Sequence, residues 1–156
     1  MRGKERKQEN SEKNECMGRI MAIDYGKKRT GIAVTDPLRI AATPLETVDT
    51  AVLKQWLSDY FLRETVDEVI IGHPVQMNGE DSQSMEYIRP FITWFRQTFT
   101  AITLSEVDER FTSVLAHKAM LEGGLKRKQR QDKKTVDRIA ACIMLEERLD
   151  GLAVRS

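Results

Sequence analysis

Residues 19–36, RIMAIDYGKKRTGIAVTD, decide the fold of this chain. The run RIMAID (19–24) is apolar between Arg19 and Asp24 and is followed closely by Gly26, a pattern typical of a strand that is buried on both faces. A second apolar run, TGIAVTD (30–36), comes after the turn residues GKKR (26–29). Two strands joined by so short a turn predict an antiparallel hairpin at the start of a sheet.

Helices and strands alternate after this hairpin. A third strand around residues 40–47 contains Pro44, which lacks a backbone N–H and therefore predicts a position at the sheet edge. Apolar spacing predicts a helix that is capped by Asp49 or Thr50, and a second helix that Pro90 should kink or break. The other predicted elements are strands at 66–72 and 101–108 and helices at 85–99, 112–124 and 133–149.

The order β-β-β-α-β-α-β-α-α predicts an α/β domain with one five-stranded mixed sheet. Strands one to three should be antiparallel, and strands four and five should run parallel to the first, joined by helical crossovers. We expect residues 1–17, which hold no Val, Ile, Leu, Phe, Tyr or Trp, to be a disordered polar tail. Residues 18–150 should form the single domain, and residues 151–156 a C-terminal tail.

Composition narrows the classes of function. A chain of 156 residues has room for one core, which excludes large multidomain enzymes. Its 25 basic and 24 acidic residues leave a formal charge of +1, so binding to nucleic acid requires a local basic patch rather than bulk charge. Cys16 and Cys142 form no disulfide framework, and no apolar run approaches the ~20 residues that span a bilayer, which favours a cytoplasmic protein without membrane contact.

Acidic residues end the predicted strands at one rim of the sheet. Asp24 ends the first strand, and Asp108 and Glu109 end the fifth, where ligands gather in open α/β sheets. Asp137 begins the last helix, at the end of its apolar stripe. Each acid also has an ordinary explanation, because Asp24 can satisfy a turn, Asp108 and Glu109 can belong to a charged loop, and Asp137 can stabilise a helix dipole.

Carboxylates that meet at one rim predict a metal site. Without a cation they repel, and at least one takes up a proton, whereas divalent ions keep all of them ionised. Oxygen ligands suit Mg²⁺ or Mn²⁺, and two such ions roughly 3.5 to 4 Å apart support in-line attack on a phosphodiester. The pattern therefore predicts a nuclease.

Basic residues flank each of these acids and predict phosphate contacts. Such contacts position a nucleic acid without specifying its sequence, although basic loops are often only solvated. The candidate substrate-binding residues are Lys27, Lys28, Arg29, Arg110, Lys126, Arg127 and Lys128.

Other chemistries lack their motifs. The sequence contains neither G-x-x-x-x-G-K-[ST] nor G-x-G-x-x-G, so nucleotide binding through these loops is not predicted. His73 and His117 are the only histidines and have no cysteine cluster near them, which argues against a zinc site. A duplicated, actin-like or sugar-kinase-like ATPase does not fit into 156 residues.

Four motifs in order resemble the YqgF family, also called RuvX, whose members are described as Holliday junction resolvases or pre-16S rRNA nucleases. They are IDYGKKRTGIAVTD, IIGHPVQMNGED, DERFTS and VDRIAACIMLE, and the resemblance runs from about Gly18 to Leu149. It implies a ribonuclease H-like fold, metal-dependent phosphodiester cleavage and maturation of the 5′ end of 16S rRNA. By position it implies Asp24, Glu109 and Asp137 as catalytic metal ligands, with Asp108 as the substitute for Glu109. His73 departs from the Leu that most relatives carry.

The sequence leaves three functions open. A nuclease for structured RNA, acting on pre-rRNA or on ribosomal precursor particles, is the main hypothesis, and a resolvase for four-way DNA keeps the same chemistry. A resolvase should be a stable dimer because it cuts two strands symmetrically, whereas a processing enzyme can be a monomer or weak dimer. A nucleic-acid-binding module without catalysis is the third, which the complete set of acids disfavours.

Overall fold

A computed structural model describes residues 18–73, 85–108 and 133–155, together with Val114, His117, Lys118 and Met120. Only the backbone is described for His73, Met85, Asp108, Lys133 and residues 152–155. The predicted polar tail, the loop that follows His73 and the basic segment at 126–132 lie outside the described residues.

One mixed sheet of five strands organises the chain, in the order β3-β2-β1-β4-β5. Its strands are β1 (Arg19–Asp24), β2 (Arg29–Thr35), β3 (Ala42–Asp49), β4 (Val66–His73) and β5 (Thr103–Asp108). The pairs β1–β2 and β2–β3 are antiparallel, while β1–β4 and β4–β5 are parallel. This topology confirms the predicted sheet, and Pro44 lies in the edge strand β3 as predicted.

Where the structure describes helices without a gap, three of them cover the sheet: α1 (Leu53–Arg63), α2 (Met85–Thr98) and α3 (Lys133–Arg155). A short 3₁₀ helix, Thr50–Val52, precedes α1. Val114, His117, Lys118 and Met120 are also helical and lie in the predicted helix at 112–124. No helix in the described part of the chain is both long enough and apolar enough to cross a membrane.

The alternation of side chains along the strands creates two buried layers. Met21 and Ile23 of β1 point to the layer that α1 and α2 cover, where Phe95 is fully buried. Ile20 and Ala22 point to the opposite layer, which α3 covers and which we call the α3 face. Asp24 continues the alternation of Ile20 and Ala22, so its side chain belongs to the α3 face.

Small residues let α3 approach the sheet closely. Ala22 of β1 and Ala33 of β2 meet Ala140 and Ala141 of α3 in one buried cluster. Gly31 shows how close the approach is, since a Cβ built on it would lie 2.1 Å from the backbone oxygen of Asp137. The absence of a side chain at residue 31 therefore sets the position of the amino-terminal part of α3.

The structure corrects parts of two local predictions. Asp49 occupies the N-cap position of the 3₁₀ helix that precedes α1, but its side chain makes no cap hydrogen bond. The Thr50 hydroxyl bonds to the β1–β2 turn instead of capping a helix. Pro90 does not break its helix, since α2 runs unbroken from residue 85 to residue 98. Pro90 and Glu86, whose carbonyl loses its helical partner, are both exposed, so water can satisfy the freed carbonyl.

Candidate functional site

Asp24 is a buried carboxylate at the centre of the sheet. It is the last residue of β1, and only 5% of its surface is exposed. Its neighbours in the sheet are Gly31 of β2 and Gly72 of β4, so no side chain flanks it on the adjacent strands. Because burying an isolated carboxylate costs several kcal/mol, a nearby cation strongly stabilises the ionised form of such an acid.

Lys118 supplies a positive charge to Asp24. Its Nζ lies 2.8 Å from Oδ2 of Asp24, a charge-assisted hydrogen bond, and 25% of the lysine side chain is exposed. Val114, which is fully buried in the cluster of the α3 face, precedes Lys118 by one helical turn. The packing of this helical segment therefore directs Lys118 towards the end of β1.

Asp137 brings a second carboxylate to the same place. Its Oδ2 accepts a hydrogen bond of 3.3 Å from Nε of Arg29, and 23% of its side chain is exposed. Burial raises the pKa of Asp137 above its usual value, and the charge of Asp24 raises it further. The hydrogen bond and charge of Arg29, with the charge of Lys118, partly oppose this shift in pKa. The two acids and two cations thus share one electrostatic environment.

The turn between β1 and β2 is tied to the sheet by Thr50. Its hydroxyl donates to the carbonyl of Gly26 at 2.7 Å, lies 2.9 Å from the hydroxyl of Thr30, and its backbone N–H bonds to the carbonyl of Lys28 at 2.9 Å. Gly26 is required because a Cβ there would lie 2.2 Å from the carbonyl oxygen of Arg29. Lys27 and Lys28 are therefore exposed on a turn whose backbone is fixed.

Tyr25, which directly follows Asp24, packs against α2 and so fixes the backbone next to this acid. Its ring lies 4.9 Å from that of Phe91 and 6.0 Å from that of Tyr87, both on α2. Burial, and then the proximity of Tyr87, raise the pKa of the Tyr25 phenol, so the hydroxyl stays protonated at neutral pH. The residue next to Asp24 is thus anchored in the aromatic layer of α2.

The structure brings together some of the predicted site residues. Asp24, Asp137 and Arg29 meet on the α3 face, next to the turn that carries Lys27 and Lys28. Glu109, Arg110, Lys126, Arg127, Lys128 and the side chain of Asp108 lie outside the described residues. Among the residues that are described, no group of three or more His, Cys, Asp or Glu forms a metal-binding cluster.

Lys118 and Thr50 are the two residues of this site that the sequence did not indicate. A lysine in a helical stretch is usually a solvated surface residue, but its distance of four residues from the apolar Val114 places both on one helix face. Thr50 was expected at a helix cap, and only the fold shows that its hydroxyl reaches the β1–β2 turn instead.

The donor atoms of the site fit a hard divalent cation. Asp24 and Asp137 offer carboxylate oxygens, and their charges raise each other's energy unless a cation lies between or beside them. In the structure Lys118 and Arg29 supply that positive charge. Oxygen-only ligands of this kind favour Mg²⁺ or Mn²⁺ over softer metals.

Comparison with known proteins gives one consistent family. Residues 18–151 match the family described as RuvX: Holliday junction resolvase. Proteins called "Putative pre-16S rRNA nuclease" from Parabacteroides distasonis and Phocaeicola vulgatus are 54% and 53% identical to the chain, each over 135 residues. These alignments cover 86% of this chain and 96% and 97% of the relatives.

A solved structure shares the fold. The chain resembles T. thermophilus RuvC in complex with Holliday junction substrate, with a TM-score of 0.54 and 18% sequence identity. The match covers 87% of this chain and 96% of the RuvC chain, and it confirms the expected ribonuclease H-like fold. With a family match over residues 18–151 and relatives above 50% identity, this chain belongs to the RuvX family.

Proposed function

We propose that this protein is a metal-dependent nuclease that cleaves phosphodiester bonds in structured RNA, in the maturation of the 5′ end of pre-16S rRNA. The observation that carries the proposal is that two acids, the buried Asp24 and the half-buried Asp137, come together at the end of the central strand. The relatives that are 51–54% identical and named as pre-16S rRNA nucleases supply the substrate class.

Asp24, Asp137 and a third acid would hold the metal ions, Mg²⁺ or Mn²⁺. When bound, such ions supply Lewis-acid activation of water and charge stabilisation of the leaving oxygen. The protein's own contribution is position: Asp24 is fixed in β1, and Asp137 is fixed by the close contact of α3 with Gly31. Burial of Asp24 also limits competition from bulk water for its carboxylate oxygens.

Glu109 is our proposed third ligand, with Asp108 as the substitute. Asp24, Gly72 and Val107 lie in one row across the parallel strands, so they share a face of the sheet. Val107 packs against the buried cluster of the α3 face, the face of Asp24, whereas Leu104 belongs to the opposite layer. If this alternation continues past β5, residue 109 rather than residue 108 faces Asp24.

Basic residues around the acids would hold the RNA backbone. Lys27 and Lys28 are exposed beside Asp24 on the fixed β1–β2 turn, which suits contacts to phosphate. Arg29 donates to Asp137, so we assign it to positioning this acid as well as to the positive surface. The same phosphate-binding role is proposed for Arg110, Lys126, Arg127 and Lys128.

Four-way DNA is the second candidate substrate. The family description names Holliday junction resolvases, and the RuvC structure that shares the fold contains a Holliday junction substrate. The two functions differ in assembly, because symmetric cleavage of a junction needs two paired sites. A molar mass in solution that corresponds to a monomer or weak dimer would favour the RNA substrate.

Cleavage assays test the proposal directly. Wild type and Asp24→Asn are incubated with a 16S precursor 5′ leader and, separately, with a four-way DNA junction, in Mg²⁺, Mn²⁺ or chelator. We expect metal-dependent cleavage of the RNA that is lost in the variant. Preferential cleavage of the junction would favour the resolvase. Binding of both substrates without cleavage, even with ribosomal precursor particles added, would identify a binding module.

We also propose how the chain is organised. We assign the nuclease domain to residues 18–150, preceded by the polar tail at residues 1–17 and followed by residues 151–156. We place the enzyme in the cytoplasm, where ribosomal precursor particles are its partners, and we expect no membrane contact.

A further inference from the structure

The ion pair between Lys118 and Asp24 lies at the proposed metal site. The lysine Nζ is 2.8 Å from Oδ2 of Asp24, and the carboxylate that it contacts is almost completely buried. A carboxylate oxygen that accepts a hydrogen bond from an ammonium group cannot offer the same lone pair to a metal ion. The lysine therefore occupies a coordination position of Asp24.

Among the described side chains of the site, the charges are already balanced without a metal. Asp24 and Asp137 carry two negative charges, and Lys118 and Arg29, each within 4 Å of one of them, carry two positive charges. A divalent ion that entered this group unchanged would face two cations at short range and would gain little net attraction. Binding becomes more favourable if a positive side chain moves away from the acids.

Lys118 is better suited to move than Arg29. Arg29 belongs to β2, which pairs with strands on both sides, and its Nε bonds to Asp137. Lys118 reaches Asp24 from outside the sheet, and its single ammonium group ends a flexible stem of four carbons. One quarter of its side chain is exposed, so a rotamer change can return the ammonium to water.

We propose that Lys118 is an exchangeable counter-ion, which positions the Asp24 carboxylate in the metal-free enzyme and is displaced when a divalent ion binds. This inference rests on the proposed function, since it concerns the same metal site. It assigns Lys118 a positioning role, and it predicts direct competition between the ammonium group and the metal.

Titration of Mn²⁺ into the full-length protein without nucleic acid, followed by electron paramagnetic resonance of free Mn²⁺, tests this competition. We expect Lys118→Met and Lys118→Gln to bind Mn²⁺ with a Kd about tenfold lower than that of the wild type, the order of effect of one lost short-range competing charge. Lys118→Arg should bind like the wild type, because it keeps the positive charge.

Arg148→Met is the matched control. Arg148 forms an ion pair of 2.7 Å with Glu68, whose side chain is also mostly buried, and Glu68 lies at the opposite end of β4 from Gly72, the sheet neighbour of Asp24. This variant loses a comparable ion pair and should be destabilised without any change in Mn²⁺ affinity. If Mn²⁺ affinity changed only because the fold had loosened, Arg148→Met would change it as much as the neutral Lys118 variants do.

The outcomes separate the inference from the proposed function. Unchanged or weaker Mn²⁺ binding by both neutral Lys118 variants, with circular dichroism showing that one of them is folded, overturns the counter-ion role. Absence of Mn²⁺ binding by a wild type that still cleaves RNA in a metal-dependent way overturns it as well and leaves the nuclease in place. Absence of both Mn²⁺ binding and cleavage overturns the proposed function together with the inference.

Discussion

Replacing Gly31 with Ala should push the start of α3 slightly away from the sheet. The added Cβ would lie 2.1 Å from the backbone oxygen and 2.3 Å from the backbone carbon of Asp137, and both of these are main-chain atoms that no rotamer change can move. Bringing the closer contact to 3.4 Å, where ordinary van der Waals contact begins, requires a shift of about 1.3 Å. The shift falls on the residue that carries the second acid of the site.

Two magnitudes follow from this displacement. Forcing an extra methyl group into a packed core costs about 1–3 kcal/mol, so the free energy of unfolding should fall by that amount. A misplacement of about 1 Å in a catalytic group costs on the order of 100-fold in rate, so cleavage should fall much more than stability alone explains. The loss in rate should appear at temperatures where the variant is fully folded.

Urea unfolding and cleavage assays on Gly31→Ala and Gly151→Ala measure both effects. Gly151 lies in α3 with no heavy atom within 4 Å of an added Cβ, so its substitution should raise the free energy of unfolding by about 0.5–1 kcal/mol and leave cleavage unchanged. A Gly31→Ala protein that is as stable as the wild type and equally active would refute the close contact between α3 and β2.

Three further perturbations have expected outcomes. Thr50→Val removes the hydroxyl that bonds to Gly26 and Thr30, and should lower the free energy of unfolding by about 1–2 kcal/mol. In steady-state kinetics the variant should raise KM for RNA more than it lowers kcat. Burial, and secondarily a neighbouring negative charge, raise the pKa of Asp137, so the folded state disfavours its ionised form. In chelator, Asp137→Asn should therefore gain stability over the wild type as the pH rises through the range in which carboxyl groups ionise. An equal pH dependence of stability in the two proteins would contradict this. Burial and the neighbouring Glu146 raise the pKa of Cys142 to about 11. In a Cys16→Ser background, a thiol reagent at about pH 8 should therefore label the protein only on unfolding. Rapid labelling of the native protein would show that the thiol is accessible.

The strands and their directions were predictable because buried strands leave a strong pattern in the sequence. The apolar runs around Ile23 and Ile32 are bounded by turn residues, and Pro44 excludes its strand from the interior of the sheet. These are local constraints that a single sequence carries. The five strands and their directions therefore follow from the sequence, and the structure confirms them.

Local hydrogen bonding was less predictable because tertiary contacts compete with it. Thr50 has the right residue type and position for a helix cap, yet its hydroxyl bonds to Gly26 and Thr30 at the β1–β2 turn, which folding brings next to it. Pro90 is tolerated within α2 because the carbonyl it leaves without a helical partner faces water. In both cases the deciding neighbour is distant in sequence or is solvent.

The sequence indicated some residues of the candidate site and not others. Asp24 and Asp137 were candidates because acids at the ends of apolar segments have no role in a core, and the structure places them in one electrostatic environment. Lys118 carries no such signal, since a lysine in a polar helical stretch is ordinary. Its contact with Asp24 depends on how the helical segment packs on the α3 face, and only the three-dimensional structure reveals it.

A double-mutant comparison tests most directly whether Asp24 and Asp137 act as one metal-binding unit. The measurement is kcat for metal-dependent RNA cleavage by Asp24→Asn, Asp137→Asn and the double variant, each shown to be folded. We predict that each single variant loses on the order of 1,000-fold or more and that the double variant is no worse than either, because one missing ligand already disables the unit. Single effects that multiply in the double variant, or a single variant that retains wild-type kcat, would contradict a shared metal site.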